Sequence, residues 1–171
     1  MTRVWLLSLS FALTSPMEAQ VSRGHAEGAG MELTWTTTAD RLEGELRAPT
    51  EGWVLVGFNR LHEGRERGLP GARLFFFAVD SSGTTRVEEH IADPPSHAPR
   101  ARASGEAAVR VVQAERRGSS THVRFSLPLG PVHGSDVALE AGAPTELILA
   151  YSVSDDFDHH SRRRVHRRVE L

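Results

Sequence analysis

The densest group of side chains able to coordinate a metal or move a proton is DDFDHHSRR, residues 155–163. It places three aspartates around two adjacent histidines, and carboxylates and imidazoles are ligands for divalent metals such as zinc or copper. Neighbouring residues seldom chelate one ion well, because metal sites need several ligands at defined spacing. A solvated loop, in which Asp158 and Arg162 or Arg163 screen each other, explains the same segment. We therefore favour the loop and keep divalent metal binding at residues 155–160 as an alternative.

The same segment also fits one histidine acting as an axial ligand of an iron porphyrin. A neutral imidazole nitrogen is a ligand for haem iron. The arginines beyond it, such as Arg163, form charge-assisted pairs with carboxylates like the haem propionates. Haem binding is thus a second hypothesis for this loop.

The chain otherwise lacks the residues and motifs of common enzymes. All 20 basic residues are arginine, and cysteine is absent, which excludes lysine nucleophiles, thiolate chemistry and disulfides. There is no G-x-G-x-x-G phosphate loop, no G-x-S-x-G elbow and no H-E-x-x-H helix. We therefore predict a protein that is not an enzyme and has no catalytic residues. The formal charge of −2 also argues against nucleic-acid binding, which normally needs a distinctly basic domain.

The N-terminus has the pattern of a secretory signal peptide. Arg3 precedes an apolar run over residues 4–13, which is too short to span a bilayer, and a small-residue zone follows. We predict a signal peptide over residues 1–19 and a flexible, glycine-rich lead-in over residues 20–30. The mature chain would be exported to the periplasm or the extracellular space, with no transmembrane segment.

Short apolar segments separated by turn residues fill residues 31–171. WVLVGF (53–58), RLFFFAV (73–79) and TELILAY (145–151) are nearly continuous apolar runs, typical of strands buried on both faces. Their regular spacing predicts an all-β fold, an antiparallel β-sandwich of about nine or more strands. The predicted core consists of Trp35, Trp53, Phe58, Phe75, Phe77, Phe125 and Leu149.

The order of these segments resembles the DOMON family, the dopamine β-monooxygenase N-terminal-like domain. The matching pieces cover the whole predicted domain: EGWVLVGFN (51–59), GLPGARL (68–74), the strand around 87–91, FSLPL (125–129) with GSD (134–136), LAY (149–151), HSRR (160–163) and VEL (169–171). Two positions depart from the family pattern, since Leu127 replaces an arginine and Arg164 replaces a glycine.

The resemblance implies an exported β-sandwich that binds haem b or sugars. In the family's cytochromes a methionine and a C-terminal histidine hold the iron. By position the histidine corresponds to His160, with His159 as the alternative register. The methionine corresponds to Leu69, which cannot bind iron, and His62 in the same loop is the alternative second ligand. This predicts a haem b module with an electron-transfer role and a redox partner protein.

A non-redox function is the alternative within the same fold. An apolar pocket lined by Trp53, Phe75 and Phe77 would hold a sugar ring or another small-molecule ligand. The sequence therefore leaves open haem binding, carbohydrate or small-ligand binding, and metal binding at residues 155–160.

Overall fold

The computed structural model describes residues 21–61, 69–92, 99–101, 108–131 and 137–171, with only the backbone for 99–101. All regular structure in these ranges is β-strand. The strands are β1 (Ser22–Gly28), β2 (Met31–Thr37), β3 (Arg41–Ala48), β4 (Val54–Asn59), β5 (Arg73–Val79), β6 (Thr85–Ala92), β7 (Pro99–Ala101), β8 (Arg110–Arg117), β9 (Ser120–Pro128), β10 (Pro144–Tyr151) and β11 (Arg163–Glu170).

The strands form two antiparallel sheets that pack face to face. One sheet has the order β1-β2-β3-β9-β8 and the other the order β11-β10-β4-β5-β6-β7. Alternating apolar residues of both sheets meet in one main core. The predicted antiparallel β-sandwich is therefore confirmed. Among the residues that the structure describes, there is no helix with the length and hydrophobicity of a membrane span.

The prediction of a flexible lead-in over residues 20–30 is wrong. Residues 22–28 form the edge strand β1, which pairs along its whole length with β2. The connection is a two-residue turn in which Ala29 and Gly30 have φ of 53° and 80°, the positive values of a tight hairpin turn. The small and polar residues that indicated flexibility instead suit an edge strand: at Gly24, an added Cβ would overlap the Trp35 ring. The sandwich thus begins at residue 22 rather than 31. The predicted signal peptide lies outside the described residues.

The main core contains six of the seven predicted core residues: Trp35, Phe58, Phe75, Phe77, Phe125 and Leu149. Burying such side chains stabilises the fold by about 1.5–3 kcal/mol each. Trp53 is the exception, because it is buried in a second cluster on the other side of the six-stranded sheet.

A buried ion pair also lies in the main core. Arg73 of β5 is 0% exposed and Glu89 of β6 is 3% exposed. Arg73 Nε and Nη2 each lie 3.0 Å from Glu89 Oε1, and Glu89 Oε2 accepts a hydrogen bond of 3.0 Å from the backbone N–H of Ala108. The pair therefore links β5, β6 and the segment that leads into β8.

Candidate functional site

The six-stranded sheet has a second apolar surface, on the face that points away from the main core. We call it the outer cluster; it comprises Trp53, Leu55, Ala72, Leu74, Phe76, Ala78, Ala92, Ile148, Ala150 and Phe157, with Leu69 packed against it. It exists because the central strands β4, β5 and β10 carry apolar side chains at consecutive positions and are buried on both faces. An antiparallel sheet more often leaves one face to solvent.

Phe76 lies at the centre of the aromatic part of this cluster. Its ring centroid is 5.1 Å from that of Trp53, 5.5 Å from that of Phe157 and 4.7 Å from that of His90. Phe157 belongs to the loop between β10 and β11. The Arg86 guanidinium lies 4.8 Å from the Phe157 ring centroid and also donates a hydrogen bond to the carbonyl of Asp155. These contacts hold the loop over the outer face of the sheet.

The loop places His159 and His160 beside Trp53. Trp53 Nε1 donates a hydrogen bond of 3.2 Å to the His159 carbonyl, and Ser152 Oγ donates one of 3.0 Å to the His160 carbonyl. Within residues 152–160, the Ser154 carbonyl accepts a further bond of 2.9 Å from the Trp53 N–H. The backbone at residues 159–160 is therefore fixed at the rim of the outer cluster, and both histidines are exposed.

The two histidines differ in their hydrogen bonds. His159 Nδ1 lies 2.9 Å from Ser152 Oγ and 3.0 Å from the His160 carbonyl. The Ser152 hydroxyl donates its hydrogen to the His160 carbonyl, so its oxygen accepts a hydrogen bond from His159 Nδ1. A neutral His159 therefore carries its proton on Nδ1 and a lone pair on Nε2. The His160 ring makes no hydrogen bond with the described part of the chain. Both imidazoles can thus offer a nitrogen lone pair to a ligand.

Leu69 lies at the opposite end of the same face. It precedes β5, and its carbonyl accepts a hydrogen bond of 2.8 Å from Ala72. Gly71 N–H in turn donates one of 2.6 Å to the Ala92 carbonyl of β6. β5 spans seven residues, so its two ends lie about 20 Å apart. Leu69 borders the cluster at one end of β5, and the His159–His160 segment borders it at the other. His62, the predicted alternative ligand, lies outside the described residues.

Three residues predicted to line a site lie on the face away from the outer cluster, for the same reason. Side chains alternate along a strand, so Phe75 and Phe77 point into the main core, whereas Phe76 between them points into the outer cluster. Arg163 pairs with Tyr151, a main-core residue, whereas Arg164 pairs with Ala150 of the outer cluster. Phe75 therefore does not line the candidate site, and Arg164 rather than Arg163 shares its face.

The structure adds a third histidine, His90, to the border of the outer cluster. His90 of β6 is only 5% exposed, and its Nε2 lies 2.8 Å from Glu88 Oε2. Its Nδ1 is buried and has no hydrogen-bond partner among the residues that the structure describes. The alternation of His90 with apolar neighbours is typical of an exposed residue. The sequence does offer one signal of burial: the neighbouring strand β5 is apolar at consecutive positions, which indicates that both faces of that sheet are covered.

His166 occupies the matching position at the other side of the sheet. It is half-buried, and its Nδ1 lies 2.8 Å from Glu146 Oε1. One cross-strand row connects the two histidines through residues of the outer face: His90, Leu74, Gly57, Ile148 and His166. The apolar centre of the face is therefore bordered by imidazoles on both sides.

The carboxylates of the loop do not assemble a metal site. Asp156 Oδ1 accepts a hydrogen bond of 3.0 Å from the backbone N–H of Asp158, which is a turn interaction. Within the described ranges, no group of three or more histidine, aspartate or glutamate side chains is arranged to hold a metal ion. The arrangement therefore does not support metal binding at residues 155–160.

A separate groove of about 450 Å³ lies on the outer side of the five-stranded sheet. Its walls include Arg23, Thr34, Glu43, Glu45 and Arg124, all of them exposed polar residues. Trp35 also borders the groove, and its buried Nε1 has no hydrogen-bond partner in the described part of the chain.

These features define an antiparallel β-sandwich whose six-stranded sheet carries an apolar outer site bordered by histidines. No protein-family model matches the sequence, and no curated protein matches it. Among solved structures, the fold is similar to the cytochrome domain of cellobiose dehydrogenase from Myriococcum thermophilum, with a TM-score of 0.57. The similarity covers 88% of this chain and 81% of that domain, at 13% sequence identity. At this identity the comparison shows the fold that the two chains share.

Proposed function

We propose that the mature chain is an exported, non-catalytic module of the DOMON type that binds haem b and transfers electrons. The observation that carries the proposal is the outer cluster, a buried apolar surface whose covering loop presents two imidazoles at its rim. The fold shared with a cytochrome domain and the resemblance to the DOMON family support it.

The residues fit a haem held by one protein imidazole. A porphyrin needs an apolar surface, which Trp53 and Phe76 would supply once the loop that carries Phe157 moves aside, and a neutral histidine nitrogen, which His160 or His159 would supply. They do not fit a methionine–histidine pair, because Leu69 has no lone pair. When bound, the haem would supply one-electron transfer.

The chain's own residues would then anchor the ligand histidine and exclude water. Trp53 Nε1 donates a hydrogen bond of 3.2 Å to the carbonyl of His159, and Phe157, which is 9% exposed, packs against the sheet. Arg164, on the outer face, would pair with a propionate. A low-dielectric surrounding of this kind is one of the means by which proteins tune the reduction potential of haem.

Visible spectra of the mature chain, purified from cells supplied with haem, test the proposal. We expect a Soret band that is lost or shifted in His160→Ala and unchanged in His25→Ala, whose ring is exposed on the other sheet. If only His159→Ala changes the band, His159 is the ligand. A wild-type chain without a Soret band would refute haem binding, and a band that neither variant alters would refute the axial assignment.

Export is tested separately, by N-terminal sequencing of the protein recovered outside the cytoplasm. We expect the mature chain to begin at Gln20. Recovery of a chain that still begins at Met1 would contradict the signal peptide.

A non-redox module that binds a small polar ligand is the second candidate. The outer cluster does not favour a sugar, because its lining is almost wholly apolar and offers few hydrogen-bonding groups to sugar hydroxyls. The groove on the five-stranded sheet favours such a ligand, since it combines charged walls with Trp35 Nε1, which has no hydrogen-bond partner among the described residues. A thermal-shift screen with oligosaccharides should find a ligand whose effect is lost in Arg124→Ala and kept in His160→Ala. If no compound shifts the transition, this candidate fails.

A further inference from the structure

Five arginines crowd into the seven residues at the start of the last strand: Arg162, Arg163, Arg164, Arg167 and Arg168. We call this group the basic edge. All five are exposed, and none forms an ion pair with a residue that the structure describes. Within the described ranges, Arg167 donates hydrogen bonds to the carbonyls of Glu27 and His166.

No carboxylate of the described residues lies within ion-pair distance of these five guanidinium groups, although Asp155, Asp156 and Asp158 are exposed in the preceding loop. Glu146 pairs with Arg168 across the strands, but it is 5% exposed and its Oε1 lies 2.8 Å from His166 Nδ1. The whole chain has a formal charge of −2, so without these five positive charges it would carry −7. Like charges at this density repel one another. A cluster of five positive charges therefore lies at one edge of a protein whose other residues sum to a formal charge of −7.

The position of the basic edge makes it an accessible surface. Among the strands that the structure describes, β11 is at the edge of its sheet and pairs with β10 alone. Arg163 and Arg167 project on one side of the strand and Arg164 and Arg168 on the other, so both sides of the edge are basic. Its eight residues extend about 26 Å, the scale of a protein–protein contact. The strand also follows directly on the loop that carries His159 and His160.

We propose that the basic edge is the docking surface for an acidic protein that exchanges electrons with this chain, an inference that rests on the proposed function. Guanidinium groups bind carboxylates through two parallel hydrogen bonds, and complementary charge speeds encounter and sets orientation. The remaining charge of −7 repels an extended polyanion such as nucleic acid or an anionic membrane. An acidic patch on a protein that is no longer than one strand is attracted by the five arginines and does not extend over the acidic remainder of the chain.

The docking surface is tested without haem, by the binding of a fluorescent decaglutamate peptide to the mature chain. We expect salt-sensitive binding that is about tenfold weaker in Arg163→Gln/Arg168→Gln and changes by less than about twofold in the control Arg47→Gln/Arg110→Gln. The control arginines are exposed on the five-stranded sheet, and the two variants lose the same charge. Equal binding by both variants would overturn the proposal. So would tighter binding of duplex DNA or phosphatidylserine vesicles than of the peptide.

Edge arginines also prevent edge-to-edge association of strands, and the same variants separate this role from docking. If Arg163→Gln/Arg168→Gln aggregates while its monomer binds the peptide like the control, the arginines only protect the edge, and the docking proposal fails.

Electron transfer is tested with two small oxidants of opposite charge. Ferrous haem in the dithionite-reduced protein gives one electron to ferricyanide, forming ferrocyanide, or one to tris(phenanthroline)cobalt(III), forming the cobalt(II) complex. We expect the rate with ferricyanide to fall with rising salt and to fall in Arg163→Gln/Arg168→Gln, whereas the rate with the cobalt complex does neither. A rate with ferricyanide that this variant leaves unchanged would count against docking. If the protein takes up no haem, the proposed function fails, and the peptide result still decides whether the surface binds acidic protein.

Discussion

The buried pair of Arg73 and Glu89 gives a sharp test of how the sheet that carries the outer cluster is held together. The pair lies on the inner face of β5 and β6, directly behind Leu74 and His90. Its two N–O distances are both 3.0 Å, and the Arg73 guanidinium also lies 5.2 Å from the Phe75 ring centroid. We predict that Glu89→Ala strongly destabilises the fold, because it leaves a buried guanidinium without its carboxylate.

The expected size follows from the burial of both side chains. Breaking a buried ion pair by removing one partner costs about 3–5 kcal/mol, which for a chain of this size lowers Tm by about 6–20 °C. Glu89→Gln should cost less, because the amide oxygen still accepts hydrogen bonds from Arg73 and from the Ala108 N–H. Arg73→Met/Glu89→Leu should recover most of the loss, because no charge stays buried. The remaining cost is the unpaired Ala108 N–H, about 1–3 kcal/mol.

Urea unfolding of the three variants, followed by circular dichroism, measures these differences in the free energy of unfolding. The order of stability should be wild type, then Glu89→Gln, then Glu89→Ala, with Arg73→Met/Glu89→Leu above Glu89→Ala. A loss below about 1 kcal/mol in Glu89→Ala, or a double variant no more stable than Glu89→Ala, would refute the reasoning.

Three further predictions address the site and the pH dependence of stability. Leu69→Met conserves volume and should change stability by less than about 1.5 kcal/mol. Because residue 69 lies about 20 Å from the His159–His160 segment, the new thioether should not reach iron held there, and the reduction potential of bound haem should stay that of the wild type. Potentiometry with Leu129→Met as control checks this, and a raised potential in Leu69→Met would show that residue 69 faces the iron. Trp53→Phe removes the hydrogen bond to the His159 carbonyl, so it should lower the free energy of unfolding by about 1 kcal/mol and weaken haem binding in titrations. An unchanged affinity for haem would mean that this hydrogen bond does not position the loop. Burial, with the charge of Arg47 nearby, lowers the pKa of His122 below its usual 6.5. The contribution of His122 to stability is therefore full above pH 6.5 and is lost as the pH falls through the lowered pKa. Unfolding measured at several pH values should show this loss of stability in the wild type and a flatter pH profile in His122→Gln.

The sandwich could be predicted because its signals are local. Continuous apolar runs over 53–58, 73–79 and 145–151 predicted strands buried on both faces, and turn residues marked their ends. The sequence does not say which face of such a strand meets the main core, since every position is apolar. That is why Phe75 was assigned to the site in place of Phe76, and Trp53 to the main core.

The other errors come from residues whose environment depends on distant strands. Residues 22–28 read as flexible because they are small and polar, yet pairing with β2 satisfies their backbone hydrogen bonds. His90 alternates with apolar residues, as solvated residues do, but its neighbour Phe76 and the cover over the outer face bury it. Long-range pairing of this kind leaves no pattern within the segment itself.

The outer cluster is the feature that links the fold to its proposed role. The main core alone would hold two sheets together, and an antiparallel sheet of a sandwich can leave its other face to water. Here the outer face of the six-stranded sheet is apolar at its centre. The loop that carries Phe157 and the turn that carries Leu69 pack against it. A loop is easier to displace than a sheet, so an apolar ligand can reach this surface without disturbing the main core. The histidines at its rim then supply the polar group that a ligand site needs beside its apolar wall.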